Sequence, residues 1–151
     1  MRVRTLTGAA VAGLIAALAL PSTPAGADIR NSHMYAQNKA CDGTGGFTFG
    51  LYYNSGFNGA VRYFRYDEYD FGYLGRETGV DYYTASFCEW GNGAGTEVKN
   101  NAASAWNART DLAAQVYFNK GYQGIADYIG RGNGRNLSAT YNDNASFKHV
   151  S

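Results

Sequence analysis

LYYNSGFNGAVRYF, Leu51–Phe64, decides the fold because the chain says it again as VYFNKGYQGIADYI, Val116–Ile129. At one fixed shift Tyr52 meets Tyr117, Asn54 meets Asn119, Gly56 meets Gly121 and Gly59 meets Gly124. Phe57 meets Tyr122 and Tyr63 meets Tyr128 at the same shift. A second echo closes each copy: Asn100-Asn101-Ala102-Ala103-Ser104 after the first, Asn142-Asp143-Asn144-Ala145-Ser146 after the second. A solenoid needs three or more repeats, so two copies imply one domain whose halves pack on each other.

Working outward, Phe47, Phe49, Leu51 and Tyr53 alternate with other residues, the period of a strand with one apolar face. Asn54–Gly59 then carries two glycines, which accept positive φ and suit a sharply folded hairpin. The strand pattern resumes over Ala60–Tyr66. The second copy predicts strands at Ala114–Phe118 and Ile125–Ile129, and Ala145–Val150 reads as a last strand with Phe147 facing in. Asn100–Thr110 is the one place for a short helix, capped by Asn101 and anchored by a buried Trp106. Short strands and Gly-rich turns define an all-β class.

The copies differ between Asp67 and Thr96, where the first carries a long insertion and the second only Gly130–Asn136. Loops of that length hold structure of their own or a function. Val80–Phe87 reads as an extra strand within it. Its rings, among them Tyr69, Phe71, Tyr73 and Trp90, either cover the core or face a partner.

Residues 1–27 have the layout of a secretory signal peptide: Arg2 and Arg4, the apolar run Gly8–Leu20, and Ala25-Gly26-Ala27 as a cleavage site. The run is too short for a membrane span. Removing the segment takes both prolines and two basic residues, leaving 11 basic against 12 acidic. That near-neutral balance gives no footprint for nucleic acid. Residues 28–46 read as a polar arm holding His33, and 47–151 as the domain, with motif one 47–107, insertion 67–96 and motif two 111–151. Cys41 and Cys88 are the only cysteines, which in an exported chain reads as one disulfide. In the chain-entropy model a loop of about 48 residues is worth about 4 kcal/mol.

Tyr52-x-x-x-x-Phe57-x-Gly59 and Tyr117-x-x-x-x-Tyr122-x-Gly124 resemble the folded-hairpin signature of βγ-crystallin Greek-key motifs. Asn100–Ser104 and Asn142–Ser146 resemble the Asn/Asp-rich loop that follows it. With the signal peptide and the closing NDNAS, the chain is similar to secreted actinobacterial proteins grouped with the Streptomyces metalloproteinase inhibitor. The killer-toxin-like protein shares that fold. The resemblance implies a βγ-crystallin-like sandwich of two Greek-key motifs and a secreted, monomeric peptidase inhibitor.

The resemblance also implies calcium as a ligand, held by Asn100, Asn101 and Ser104 and by Asn142, Asp143 and Ser146. Only Asp143 among them is a carboxylate, whereas calcium prefers several hard charged oxygens. The other reading is that these residues shape packed turns. No Gly-x-Ser-x-Gly or His-Glu-x-x-His motif is present, and nothing in the spacing selects a carboxylate pair, so the chain reads as a non-enzyme. Inhibition needs only a rigid segment in a protease cleft. The expected contact segment is Tyr82–Gly93, with Tyr82, Tyr83, Phe87, Glu89 and Trp90 meeting a secreted protease. One alternative is a carbohydrate or cell-surface module, for which Tyr52, Tyr63, Tyr66, Tyr117 and Tyr128 would form an outward row, and another, implied by the fold resemblance alone, is a killer-toxin-like antimicrobial protein. Rings on one sheet face favour sugars, and rings on the insertion favour a protein partner.

Overall fold

The computed structural model describes residues 41–42, 46–74 and 84–151. The expected signal peptide, His33, Tyr82, Tyr83 and the start of the strand expected at Val80–Phe87 lie outside the described residues. The described residues form seven strands: β1 Phe49–Asn54, β2 Asn58–Phe64, β3 Ser104–Asn107, β4 Ala113–Asn119, β5 Gln123–Ile129, β6 Gly134–Asn136 and β7 Ser146–Val150. They form two antiparallel sheets, ordered β2-β1-β3-β6 and β5-β4-β7.

The repeat in sequence is a repeat in register. Phe49 pairs with Phe64 and Tyr52 with Val61, and a bulge then brings Asn54 opposite Asn58. In the second hairpin Ala114 pairs with Ile129 and Tyr117 with Ala126, and the same bulge brings Asn119 opposite Gln123. Phe57 and Tyr122 both sit at φ 61°, a left-handed conformation that costs about 1–2 kcal/mol for a residue with a Cβ. Both are held by the same device. The Ser104 hydroxyl accepts from the Phe57 N–H (3.1 Å) and donates to the Asn54 carbonyl (2.7 Å). Ser146 does so for Tyr122 (3.1 Å) and Asn119 (2.7 Å).

β6, from the second motif, joins the first sheet beside β3, so the motifs exchange an element. The reciprocal exchange is shorter. Glu68 bridges Phe147 in β7, and the Phe71 N–H donates to the Ala145 carbonyl (2.8 Å). The first residues of the expected insertion therefore stand where the first motif's own exchanged strand belongs. The structure corrects the helix expected over Asn100–Thr110. Asn100 is left-handed at φ 62°, Ser104–Asn107 is β3, and Trp106 lies on the outer face.

The core lies between the sheets. Leu51 and Ala105 from one sheet and Val116 and Ile129 from the other are fully buried. Phe49 stacks on Phe147 with centroids 4.1 Å apart, and Phe64 and Phe71 pack around them. This is an all-β Greek-key sandwich of two antiparallel sheets, with the Cys41–Cys88 disulfide formed as expected (Cα–Cα 5.5 Å).

Candidate functional site

The disulfide ties Cys88 to the start of the domain, and the segment after it docks on the first hairpin. The Cys88 N–H donates to the Val61 carbonyl (2.9 Å), and the Ala60 N–H donates to the Asn92 carbonyl (2.8 Å). The segment closes on itself where the Phe87 N–H donates to the Thr96 carbonyl (2.8 Å). The contact needs glycine on both sides. A Cβ on Gly59 would lie 2.8 Å from the Asn92 carbonyl oxygen, and one on Gly93 would lie 2.1 Å from the Tyr53 ring. Glu89–Gly95 is thus a turn fixed by backbone bonds, a crosslink and close packing, with Glu89 and Trp90 exposed at its front.

Phe87 has a different role from the contact expected of it. It is buried in the core and meets Tyr53 edge-on (5.7 Å), so it anchors the segment from within. Beside it lies a cavity of about 310 Å³ reaching from the disulfide past Arg62 to Trp90. That is at the small end for a ligand pocket and fits one bulky side chain.

The two Asn-rich loops meet across the pseudo-twofold axis. The Asn100 N–H donates to the Asn144 carbonyl (2.8 Å), and the Asn142 N–H donates to the Ala102 carbonyl (3.0 Å). Asn101 Nδ2 caps the Lys99 carbonyl (3.0 Å), while Asn142 and Asp143 are exposed at the tip of the second loop. The first loop does not fit calcium. Ser104 already bridges two backbone groups, and where this loop nears the second hairpin turn Asp70 takes Lys99 Nζ at 3.2 Å and Lys120 Nζ at 4.0 Å. Asp70, the carboxylate beside this loop, is thus already paired with two ammonium groups. The second loop supplies one carboxylate, Asp143, and its Ser146 is engaged as Ser104 is. Among the described residues no three His, Cys, Asp or Glu side chains group to hold a metal.

The tyrosines expected in one row divide between opposite faces. Tyr52 and Tyr63 lie on the outer face of the first sheet, Tyr117 and Tyr128 on that of the second, and Tyr66 just beyond β2. Exposed rings also occur on the insertion, at Tyr69, Tyr73 and Trp90. Both patterns are present, on separate surfaces.

Sequence alone did not indicate Asp127, a strand residue with a buried carboxylate. It accepts the N–H and hydroxyl of Ser138 (both 3.0 Å) and those of Thr140 (both 2.8 Å). Burial pushes its pKa up, but these four bonds outweigh it and hold the carboxyl below the usual range.

No protein-family model matches the chain, and no curated protein matches it in sequence. Its backbone is similar to several solved structures. One is the N-terminal domain of Protein S, at 17% identity over 69% of this chain and 96% of that one, TM-score 0.46. Another is a βγ-crystallin domain from Flavobacterium johnsoniae, at 12% identity over 69% and 94%, TM-score 0.46. A βγ-crystallin from Ciona intestinalis has 12% identity over 68% and 99%, TM-score 0.44. The fold is established by strand order and register rather than by these likenesses. The inhibitor resemblance finds no support in them.

Proposed function

We propose that this chain is a secreted, monomeric, non-catalytic peptidase inhibitor whose contact segment is the disulfide-tied turn Glu89–Gly95. The observation that carries the reading is the fixed presentation of Trp90, about half exposed at 52%, on a turn clamped to the first hairpin. A pre-ordered segment meets a cleft without the entropy cost of ordering, and an exposed Trp beside an acceptor cavity is a common anchor type. Phe87 and the disulfide supply the rigidity, and Glu89 and Trp90 supply the contact. The partner is a protease. Nucleic acid, membrane and calcium play no part in this reading.

The test is titration of the purified chain against a panel of secreted metalloproteases and serine proteases, alongside Glu89→Ala and Trp90→Ala. Trp90→Ala is expected to weaken inhibition roughly 30-fold, the effect of losing about 2 kcal/mol at an anchor. Absence of inhibition across the panel, or unchanged inhibition by both variants, refutes the assignment.

A further inference from the structure

Through the duplication the two outer faces correspond position by position. Leu51 and Ala105 point into the core, so their neighbours along β1 and β3 point out. The registers then place Tyr63, Gly50, Trp106 and Gly134 in one outward row, with Val61, Tyr52, Ser104 and Asn136 in the next. None of these residues is charged. Phe47 stacks on Tyr63 at 6.0 Å, and Phe57 folds over from its turn, edge-on to Tyr52 (5.7 Å) and Trp106 (5.8 Å).

The two glycines keep the rings low. A Cβ on Gly50 would lie 3.2 Å from the Tyr63 ring, and one on Gly134 would lie 2.6 Å from Trp106 and 2.7 Å from Phe57. The rings rest against the backbone, and Trp106 and Phe57 remain 41% and 38% exposed. The equivalent face of the second sheet is built differently. Gln115 stands where Gly50 does and accepts from the Tyr117 hydroxyl (2.6 Å). Lys148 stands where Trp106 does, with Nζ 5.8 Å from the Tyr117 ring centroid and 5.2 Å from that of Tyr122. A cation already occupies those rings. Among the described residues no Lys or Arg caps the outward rings Tyr63, Trp106, Phe57 and Tyr52, and the cation–ring contact within the first sheet is the inward Arg62–Phe64 pair.

We propose that the outer face of the β2-β1-β3-β6 sheet binds a neutral β-linked polysaccharide, with Trp106 and Phe57 stacking on pyranose rings. An equatorially substituted pyranose presents apolar C–H groups on its faces and hydroxyls at its edge, so it matches a low aromatic shelf with a polar border. The border is present in the Tyr52 and Tyr63 hydroxyls and the Asn136 amide nitrogen, the Asn136 Oδ1 accepting the Gly56 N–H (2.7 Å). Burial and the neighbouring Tyr63 push the Tyr52 phenol up to about 12. The lack of charge along both rows disfavours an anionic polymer. The low relief suits a flat ring better than the projecting anchors of a protein partner, in contrast to the cavity beside Trp90. This surface is distinct from the proposed protease contact and does not depend on it.

The experiment is retention of the full chain on crystalline cellulose and on chitin. Trp106→Ala, Trp106→Phe and Lys148→Ala are compared with the unaltered protein, with folding checked by near-UV circular dichroism. Trp106→Ala is expected to bind roughly tenfold more weakly, the equivalent of about 1.4 kcal/mol, with Trp106→Phe intermediate and Lys148→Ala unchanged. The chain has 2 Trp, so in Trp90→Phe the fluorescence reports Trp106 alone. Cello- or chito-oligosaccharide is expected to protect it from acrylamide quenching. Failure to bind either polymer, equal binding by all Trp106 variants, or protection of Trp106 only by a second copy of the chain at high concentration overturns the proposal. Unchanged protease inhibition by Trp106→Ala separates this result from the inhibitor reading.

Discussion

Replacing Ser104 by alanine removes one hydroxyl and breaks two bonds, and Ser146→Ala does the same in the other motif. Each change leaves a hairpin N–H and a hairpin carbonyl without their protein partner, at Phe57 and Asn54 or at Tyr122 and Asn119. An orphaned buried group costs about 1–3 kcal/mol. Both hairpin turns lie near the surface, where water recovers part of that, so about 2 kcal/mol per variant is expected. Some of the loss comes through Phe57 and Tyr122, whose left-handed backbones are pinned by these bonds. The two serines sit in different motifs and share no partner, so the effects should add to within about 0.5 kcal/mol, giving about 4 for the double variant. That is a large share of a domain's usual 5–15 kcal/mol, so the double variant should fold only marginally. Urea unfolding of the oxidised protein, followed by fluorescence, measures this as a lowered midpoint at constant m-value. Were either single change worth less than about 0.5 kcal/mol, or one large and the other negligible, the reasoning from paired hairpin devices would fail.

Asp127→Asn should flatten the acid limb of the stability curve. A folded-state pKa below the unfolded value of about 3.9 means that the Asp127 contribution is complete above that pH and is lost as pH falls through the depressed folded value. The variant should be less stable than the parent at neutral pH and converge with it in acid; parallel curves from pH 7 to pH 2 would contradict this. Calcium gives a second check. With Lys99 and Lys120 on Asp70 and both loop serines engaged, neither millimolar calcium nor EDTA should move the unfolding midpoint. A rise with calcium that Asp143→Asn abolishes would show that the second loop does hold the ion.

The hairpins were legible because their requirements are local: an aromatic, a glycine at the turn and a second glycine where the strand resumes. The helix expected over Asn100–Thr110 failed for a reason the same sequence contained. Its echo, Asn142–Ser146, was read as a bend entering a strand, and consistency between copies demands the same of Asn100–Asn107. Trp106 then falls on the outer face rather than in the core. Aromatic content does not distinguish an inward ring from an outward one, so the expected contact Phe87 falls in the core. Other features were beyond any local pattern. Asp127 meets Ser138 and Thr140 only once the chain has left β5 and returned past β6, and Glu68 pairs with Phe147 across the domain.

The two copies are most alike where the backbone is constrained and least alike where side chains meet the surroundings. Serine beneath each turn, glycine within and after it, and a left-handed aromatic recur in both because each hairpin reverses by the same bulged path. The inward pair Arg62 and Asp127 shares one position yet has opposite charge. Arg62 lines the cavity beside the disulfide, while Asp127 gathers the 138–140 loop. Outward, Gly50 and Trp106 correspond to Gln115 and Lys148. The exchange turns a low, uncharged aromatic shelf into a face whose rings are covered by a cation and an amide. The twofold scaffold therefore carries two unlike surfaces on one sheet and its edge, a clamped turn and an open shelf. Their chemistry differs enough that Trp90 and Trp106 variants should separate into different loss-of-binding classes.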